Sequence, residues 1–288
     1  SKLPSLASSR YQKTFMKNDG GRYETYKKAL VDGVTKINAG TVYPYDITKS
    51  IKHGGEKVVA QAQWDSLPNY MEGINERVLP VVDTSGSMTT PAGNNGNVTC
   101  MDVSTSLGMY ISERNEGVFK NAFITFSMRP QLQLLKGSLA DRLNQLERAD
   151  WGMNTDLKAT FELILDQAVK HNVPLSEMPT KVLILSDMEF DTALSSDWRG
   201  ESVSKWNPTA QEMIKGMYEE AGYEMPGVVY WNIQSRQDNV PTRFDEMGTA
   251  LVSGFSPSIM KSILSCQDMT PYDMMMETIG SSRYKSIT

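Results

Sequence analysis

Cysteine and histidine are scarce in this chain of 288 residues, which contains only Cys100 and Cys266, and only His53 and His171. A structural zinc site takes its ligands mainly from these two residue types, and a histidine-based catalytic triad needs a histidine beside its nucleophile. The composition therefore argues against both kinds of site. Two cysteines are also consistent with a reducing compartment. His171 follows Lys170 at the end of a helical pattern, where we predict that it faces solvent.

Long apolar runs are absent as well. No segment approaches the roughly 20 apolar residues of a membrane-spanning helix, and the N-terminus lacks the pattern of a signal peptide. We therefore predict no membrane insertion and an intracellular, cytoplasmic location, with association with a virion as an alternative. The chain begins at Ser1 rather than Met, which is expected of either a processed product or a fragment.

Charge is unevenly distributed along the chain. Residues 1–57 contain eleven Lys and Arg but five Asp and Glu, a balance of +6, whereas the whole chain has a formal charge of −5. The basic segment is thus expected to attract the acidic remainder and to dock against it. Contact with the phosphates of a nucleic acid is the alternative, although no clear series of aromatic residues accompanies the basic ones.

Hydrophobic periodicity divides the chain near residue 76. Before it, helical spacing predicts helices over residues 22–38 and 47–64, the second interrupted near Gly54 and Gly55, so residues 1–76 form an N-terminal helical segment. Residues 77–288 are predicted to form a second domain in which strands alternate with helices. The strands are predicted at residues 78–82, 121–126, 132–135, 181–185, 228–233 and 249–253, and the helices at residues 101–114, 139–146, 157–170 and 209–221.

This alternation predicts an α/β fold with a doubly wound, mostly parallel sheet covered by helices on both faces. The strands at 121–126 and 132–135 are separated by a short turn through residues 128–130, which is typical of a hairpin. One antiparallel edge strand is therefore expected.

Oxygen-bearing side chains follow two of the predicted strands. Asp83, Ser85 and Ser87 come directly after residues 78–82, and Asp187 follows residues 181–185. Thr155 stands in a third loop, ahead of a predicted helix. Ligands of parallel sheets bind beyond the carboxyl ends of the strands, and Mg²⁺ prefers oxygen ligands. The three loops therefore predict a cation site, although residues 83–87 alone are equally typical of a polar turn with a helix cap.

The spacing Asp-x-Ser-x-Ser at residues 83–87, with the later Thr155 and Asp187, resembles the metal-ion-dependent adhesion site of von Willebrand factor A domains. The sequences Ser-Asp-Met-Glu-Phe-Asp at residues 186–191 and Met-Asp-Val-Ser at residues 101–104 look closer to the DUF2828 branch, which is related to the Ro (TROVE) proteins. The resemblance covers residues 78–265 well and the preceding residues more loosely.

The resemblance implies a von Willebrand factor A-like fold and a binding function rather than an enzymatic one, with no catalytic residue. A Mg²⁺ ion, or Mn²⁺ or Ca²⁺, would be held by the three loops and would accept an Asp or Glu carboxylate from a protein partner, or from a second copy of the chain in self-assembly. Asp156, Glu189 and Asp191 are further candidates for contact with the site or with the partner.

Two alternatives remain. A Mg²⁺-dependent phosphoester hydrolase would use Asp83 as nucleophile or metal ligand, but no general base and no phosphate-binding glycine loop is evident. An RNA-binding ribonucleoprotein scaffold is the other, and residues 1–57 are then the expected RNA contact.

Overall fold

A computed structural model describes residues 3–73, 75–92, 96–126, 129–149, 156–187, 208–234 and 249–253, together with residues 276, 279 and 280. The helices are α1 (Ser5–Arg10), α2 (Gln12–Val31), α3 (Pro44–Lys52), α4 (Lys57–Asp65), α5 (Cys100–Arg114), α6 (Leu139–Glu147), α7 (Leu157–Lys170) and α8 (Pro208–Glu220). The strands are β1 (Val78–Asp83), β2 (Ala122–Phe126), β3 (Gln131–Leu134), β4 (Lys181–Ser186), β5 (Gly227–Asn232) and β6 (Thr249–Ser253).

The six strands form one sheet in the order β3-β2-β1-β4-β5-β6. Every neighbouring pair is parallel except β2 with β3, which is antiparallel. The predicted α/β fold, a doubly wound and mostly parallel sheet with one antiparallel edge strand, is therefore confirmed.

The two faces of the sheet bury separate cores, because successive side chains of a strand point to opposite faces. Val78 and Val82 of β1 pack with α3 to α6 on one face, whereas Leu79 and Val81 pack with α7 and α8 on the other. Both faces of β1 are thus covered, and all six of its residues are buried.

Gly108 allows α5 to lie close against the sheet. A Cβ atom at this position would stand 2.6 Å from Phe123 and 2.7 Å from Val82, closer than side-chain carbons approach one another. Both neighbours are buried in the core. A glycine inside a helix is unfavourable for the helix itself, and here it is explained by this close approach.

The helical segment packs against α5 and α6. Trp64 is 1% exposed and donates a hydrogen bond from Nε1 to Glu113, 2.5 Å away. Arg142 forms an ion pair with the same carboxylate at 3.1 Å, and the Arg114 guanidinium lies 3.9 Å from the centre of the Tyr110 ring. The basic segment docks against the sheet domain as expected, but mainly through apolar residues of α3 and α4 that share one core with α5 and α6.

Charge contributes to this docking at one place. Among the basic residues within 1–57 that the structure describes, Lys52 alone forms an ion pair with the sheet domain, to Asp102 at 3.2 Å. Lys27, by contrast, pairs with Glu24 and Glu56 inside the helical segment.

The predicted helix at residues 22–38 was wrong in its bounds, because α2 begins ten residues earlier and ends at Val31. Gly33 adopts a φ of +69°, the left-handed region that glycine favours. The Val34 N–H bonds to the Ala29 carbonyl at 2.9 Å and the Gly33 N–H to the Leu30 carbonyl at 3.2 Å. These two bonds are a Schellman motif, which terminates the helix.

None of the described helices combines the length and apolarity needed to cross a bilayer.

Candidate functional site

The carboxyl ends of β1 and β4 bring two acidic side chains to the same edge of the sheet. β1 and β4 are parallel neighbours with Val82 level with Leu185, so Asp83 lies beside Ser186 and close to Asp187. The order of the strands reverses between β1 and β4, and such switch points are where open α/β sheets bind ligands. Both carboxyl groups are buried, at 0% and 2% exposure.

Asp83 is held by hydrogen bonds to both of its carboxylate oxygens. The Ser85 N–H donates to Oδ1 at 2.9 Å, and the Ser186 hydroxyl donates to Oδ2 at 2.5 Å. Burial, with a smaller contribution from the charge of Asp187, nevertheless raises the pKa of Asp83 to about 6, against the lowering effect of these bonds. Two carboxylates this close and this deeply buried favour a nearby cation.

A pair of hydroxyl groups lies next to the carboxylates. Ser85 Oγ and Ser87 Oγ are 3.0 Å apart, on either side of Gly86. Adjacent ligands of an octahedral Mg²⁺ ion, with bonds of about 2.0–2.1 Å, are separated by about 3.0 Å. The two serine oxygens thus have the spacing of one edge of such an octahedron.

Residues just beyond the ends of β4 and β5 contact the segment that carries these serines. Residues Gly86–Thr89 form a short 3-10 helix, in which Met88 is fully buried. The Met88 sulfur accepts the Asp187 N–H at 3.2 Å, and the Thr90 hydroxyl accepts a hydrogen bond from Gln234 Nε2 at 2.9 Å. These contacts join the first loop to the second and to the end of β5.

Four of the five predicted cation ligands come together at this edge: Asp83, Ser85, Ser87 and Asp187. The fifth, Thr155, lies outside the described residues, as do Glu189 and Asp191. Asp156 caps the start of α7, where its Oδ1 accepts the Ala159 N–H at 3.0 Å.

The candidate metal ligands at this edge of the sheet are all oxygen atoms. Within the described ranges, no group of three His, Cys, Asp or Glu side chains is placed to hold a metal ion. His53 and His171 are exposed at the ends of α3 and α7, and the position predicted for His171 is confirmed. Two carboxylates with neutral hydroxyls suit Mg²⁺ better than zinc or another soft ion.

Sequence analysis missed Ser186, Met88, Thr90 and Gln234 as parts of this site. The residues Met88 and Asp187 are 99 positions apart, and Thr90 and Gln234 are 144 positions apart. Contacts over such separations leave no local pattern. Ser186 alone had a readable signal, because it directly follows the predicted strand at residues 181–185 and precedes Asp187.

A protein of Acanthamoeba polyphaga mimivirus, "Uncharacterized protein L728", is 27% identical to this chain over 297 residues. The match includes 97% of this chain and 49% of the viral protein, so the chain spans about half the length of the curated relative it matches.

Two solved structures align with most of this chain. The Ro (RSR) protein of Deinococcus radiodurans aligns with 90% of this chain and 52% of its own, at 15% identity and a TM-score of 0.50. The VWA domain of SpRpn10 aligns with 68% of this chain and 98% of its own, at 10% identity and a TM-score of 0.36. The first similarity supports a von Willebrand factor A-like fold of the Ro type, and at this identity it concerns the fold alone.

Family membership rests on the sheet domain. The match to a family description begins at residue 77, one residue before β1, and ends at residue 285. It therefore covers most of the chain, including both acidic loops. The chain belongs to the family described as "Domain of unknown function (DUF7788)".

Proposed function

We propose that this chain is a divalent-cation-dependent protein-binding module. Mg²⁺, or Mn²⁺ or Ca²⁺ in its place, is held by Ser85 and Ser87 beside Asp83 and Asp187, and Thr155 supplies a further oxygen. The observation that carries the proposal is the 3.0 Å spacing of the two serine hydroxyls next to two buried carboxylates.

The same donor set gives the reason for a partner. Serine and threonine hydroxyls are neutral, so an ion bound through them retains positive charge and favours an anionic ligand from outside. A carboxylate of a partner protein is such a ligand, and an Asp or Glu of a second copy of this chain is an alternative source. Mg²⁺ commonly keeps open or water-filled positions that such a group can occupy.

Binding is favoured over hydrolysis of phosphoesters by the surroundings of Asp83. A nucleophilic carboxylate needs access to its substrate, whereas Asp83 is fully buried and both of its oxygens already accept hydrogen bonds, from Ser85 and Ser186. The two histidines lie at exposed helix ends, away from the carboxyl ends of β1 and β4.

The metal-ion-dependent adhesion site and the relation to the DUF2828 branch are parts of this proposal. The family whose description matches the chain is DUF7788. The intracellular location is likewise proposed, and the viral relative supports association with a virion as its alternative.

Thermal unfolding with and without Mg²⁺ tests the cation site. A ligand that binds only the native state at 100 times its dissociation constant stabilises that state by about 2.7 kcal/mol. We expect a higher midpoint in Mg²⁺, and we expect Asp83→Ala and Ser85→Ala to abolish the increase. Ser112→Ala is the matched control, because Ser112 is a buried serine of α5 that donates to the Met109 carbonyl and should leave the increase intact.

Absence of any Mg²⁺ effect on the unmodified chain, with Mn²⁺ and Ca²⁺ also without effect, would contradict the proposal. The carboxylate requirement is tested with the Mn²⁺-loaded protein and a short acidic peptide, whose binding should be lost in chelator and in Ser85→Ala.

A second candidate is RNA binding by the helical segment. Arg10, Lys13 and Lys17 are exposed, and the Tyr11 side chain between them is 54% exposed. Lys13 and Lys17 are four residues apart on α2 and share a face. Cations beside an exposed aromatic ring are the elements of single-strand recognition, in which phosphates pair with cations and bases stack on rings.

Fluorescence polarisation of a labelled oligouridylate measures this second function. Binding that weakens steeply between 50 and 200 mM salt, and weakens further in Lys13→Ala and Lys17→Ala, is the expected result. Lys215→Ala, on the exposed side of α8, is the control. Equal binding by all three variants would exclude α2 as the contact.

A further inference from the structure

The loop that carries the serine pair has little backbone structure of its own. It is a single short 3-10 turn, flanked by hydrogen bonds from the Met88 N–H to the Ser85 carbonyl at 3.2 Å and from the Thr90 N–H to the Ser87 carbonyl at 3.0 Å. Hydrogen bonds of this 3-10 type are poorer than those of an α-helix. The conformation of residues 85–90 therefore depends on contacts from other elements.

Thr90 is the point where these contacts meet. Its carbonyl accepts the Cys100 N–H at 2.9 Å, which ties it to the start of α5. Its hydroxyl accepts the Gln234 Nε2–H, also at 2.9 Å, which ties it to the end of β5. Thr90 is thereby connected to two elements that are themselves parts of the core.

Gln234 has a fixed backbone and a buried side chain, from which it bonds to Thr90. It lies two residues beyond β5, its side chain is buried at 6% exposure, and its backbone N–H donates to Asn232 Oδ1 at 2.9 Å. This local bond resembles the turns that Asn side chains form with the backbone two residues on. The backbone of Gln234 is thus fixed independently of Thr90.

Among the described residues, the side-chain amide of Gln234 forms no hydrogen bond other than the one to Thr90. Its Oε1 atom is buried there without a hydrogen-bond partner, and its Nε2 bonds to Thr90. A buried, half-satisfied amide is less favourable than an apolar side chain of the same size. Packing alone therefore does not explain a glutamine here, whereas a specific bond to Thr90 does.

We infer that Gln234 is a positioning residue, which fixes the 3-10 turn through Thr90 and so keeps the hydroxyls of Ser85 and Ser87 at their spacing. Its effect on cation binding rests on the proposed function. Gln234 acts from beyond the end of β5, through Thr90, and does not itself contact the ion.

Mn²⁺ affinity, followed by electron paramagnetic resonance of the free ion, tests the role at the site. Gln234→Met keeps the size of the side chain and removes the donor, and Thr90→Val removes the acceptor. Each should weaken Mn²⁺ binding roughly threefold to tenfold, the range of one net hydrogen bond. The double variant should be no weaker than either single variant, because both remove the same bond. Thr90→Ser, which keeps the hydroxyl, should restore the affinity.

Gln63→Met is the matched control. Gln63 is fully buried in the helical segment, and its Nε2 donates to the Ser5 carbonyl at 3.0 Å. It loses the same kind of bond elsewhere in the molecule, so its Mn²⁺ affinity should equal that of the unmodified chain. Equal affinity in Gln234→Met and Thr90→Val as well would overturn the inference while leaving the cation site intact.

Hydrogen exchange of the Met88 and Thr90 amides in chelator separates this inference from the proposed function. Gln234→Met should speed the exchange of both amides roughly threefold to tenfold, whether or not a cation binds. If the unmodified chain binds no Mn²⁺, the proposed function fails, and faster exchange in Gln234→Met still supports Gln234 as the residue that fixes the turn. Unchanged exchange in Gln234→Met would overturn the inference in either case.

Discussion

Helices α2 and α5 differ sharply in how much of their surface the protein covers. α2 has 20 residues and buries only Gln12 and Tyr23, whereas α5 has 15 residues and buries eleven. α2 also contains a residue, Asp19, with non-helical backbone angles. Because tertiary packing supplies most helical stability, α5 should be among the last parts of the fold to open and α2 among the first.

The helical segment is nevertheless not uniformly peripheral. α3 and α4 contribute Ile47, Ala60 and Trp64 to the same core as β1 and α5, whereas Tyr23 of α2 belongs to a small cluster with Ile37 and Val59. The boundary between well-packed and loosely packed structure thus lies inside residues 1–76, between α2 and α3. The domain division at residue 76 stays a prediction about sequence organisation.

Among the variants that test this comparison, Trp64→Ala is expected to lower the free energy of unfolding the most. It removes a fully buried indole and leaves Glu113 without its Trp64 hydrogen bond, so the free energy of unfolding should fall by about 3–5 kcal/mol. Val31→Ala, at the exposed end of α2, should change it by less than about 0.5 kcal/mol. Urea unfolding measures both. A small effect of Trp64→Ala would show that α4 is as peripheral as α2.

Gly108→Ala should have an intermediate effect. The added methyl group would overlap Phe123 and Val82, and overpacking of this kind costs about 1–3 kcal/mol. The control is Gly216→Ala in α8, where a Cβ atom meets nothing within 4 Å. Alanine is the better helix former, so this variant should be neutral or stabilised by up to about 1 kcal/mol. Equal results at the two positions would refute the close approach of α5 to the sheet.

The smallest expected effect is on the pH dependence of stability, and it comes from two buried tyrosines. Burial, with the Glu56 carboxylate second, raises the pKa of Tyr23 to about 12, and burial also raises the pKa of Tyr218. A phenol whose folded-state pKa is raised holds its proton longer when folded. Its contribution is therefore full below about pH 10 and is lost as the pH rises through about 12.

At neutral pH, replacing each tyrosine by phenylalanine should change the stability of the protein by different amounts. The Tyr23 hydroxyl is buried without a hydrogen-bond partner in the described part of the chain, so Tyr23→Phe should be neutral or slightly stabilising. The Tyr218 hydroxyl donates to the Phe161 carbonyl at 2.9 Å, so Tyr218→Phe should lose about 1 kcal/mol. Both variants should weaken the decline in stability between pH 10 and 12. Thermal unfolding across this range checks the signs, and a destabilised Tyr23→Phe would reveal a partner for its hydroxyl.

The same contrast explains where prediction from sequence succeeded. β6 was predicted with its observed bounds, and β1 and β4 were predicted within one residue. β1 and β4 are buried along nearly their whole length, and such strands appear as short apolar runs. α2 was misplaced because it buries so few side chains that its first half has little periodicity, while Gly33 was a readable end signal. α1 was missed because a helix of six residues is too short to show helical periodicity.

At the candidate site, the sequence by itself determined that Asp83 and Asp187 share one edge of the sheet. The order of strands and helices, together with parallel pairing, requires the two strand ends to meet there. Only the tertiary structure decided that Ser186 donates to Asp83, that Met88 contacts Asp187 and that Gln234 reaches Thr90. Those contacts depend on strand register and on side-chain packing between residues about 100 or more positions apart, and no local pattern in the chain encodes them.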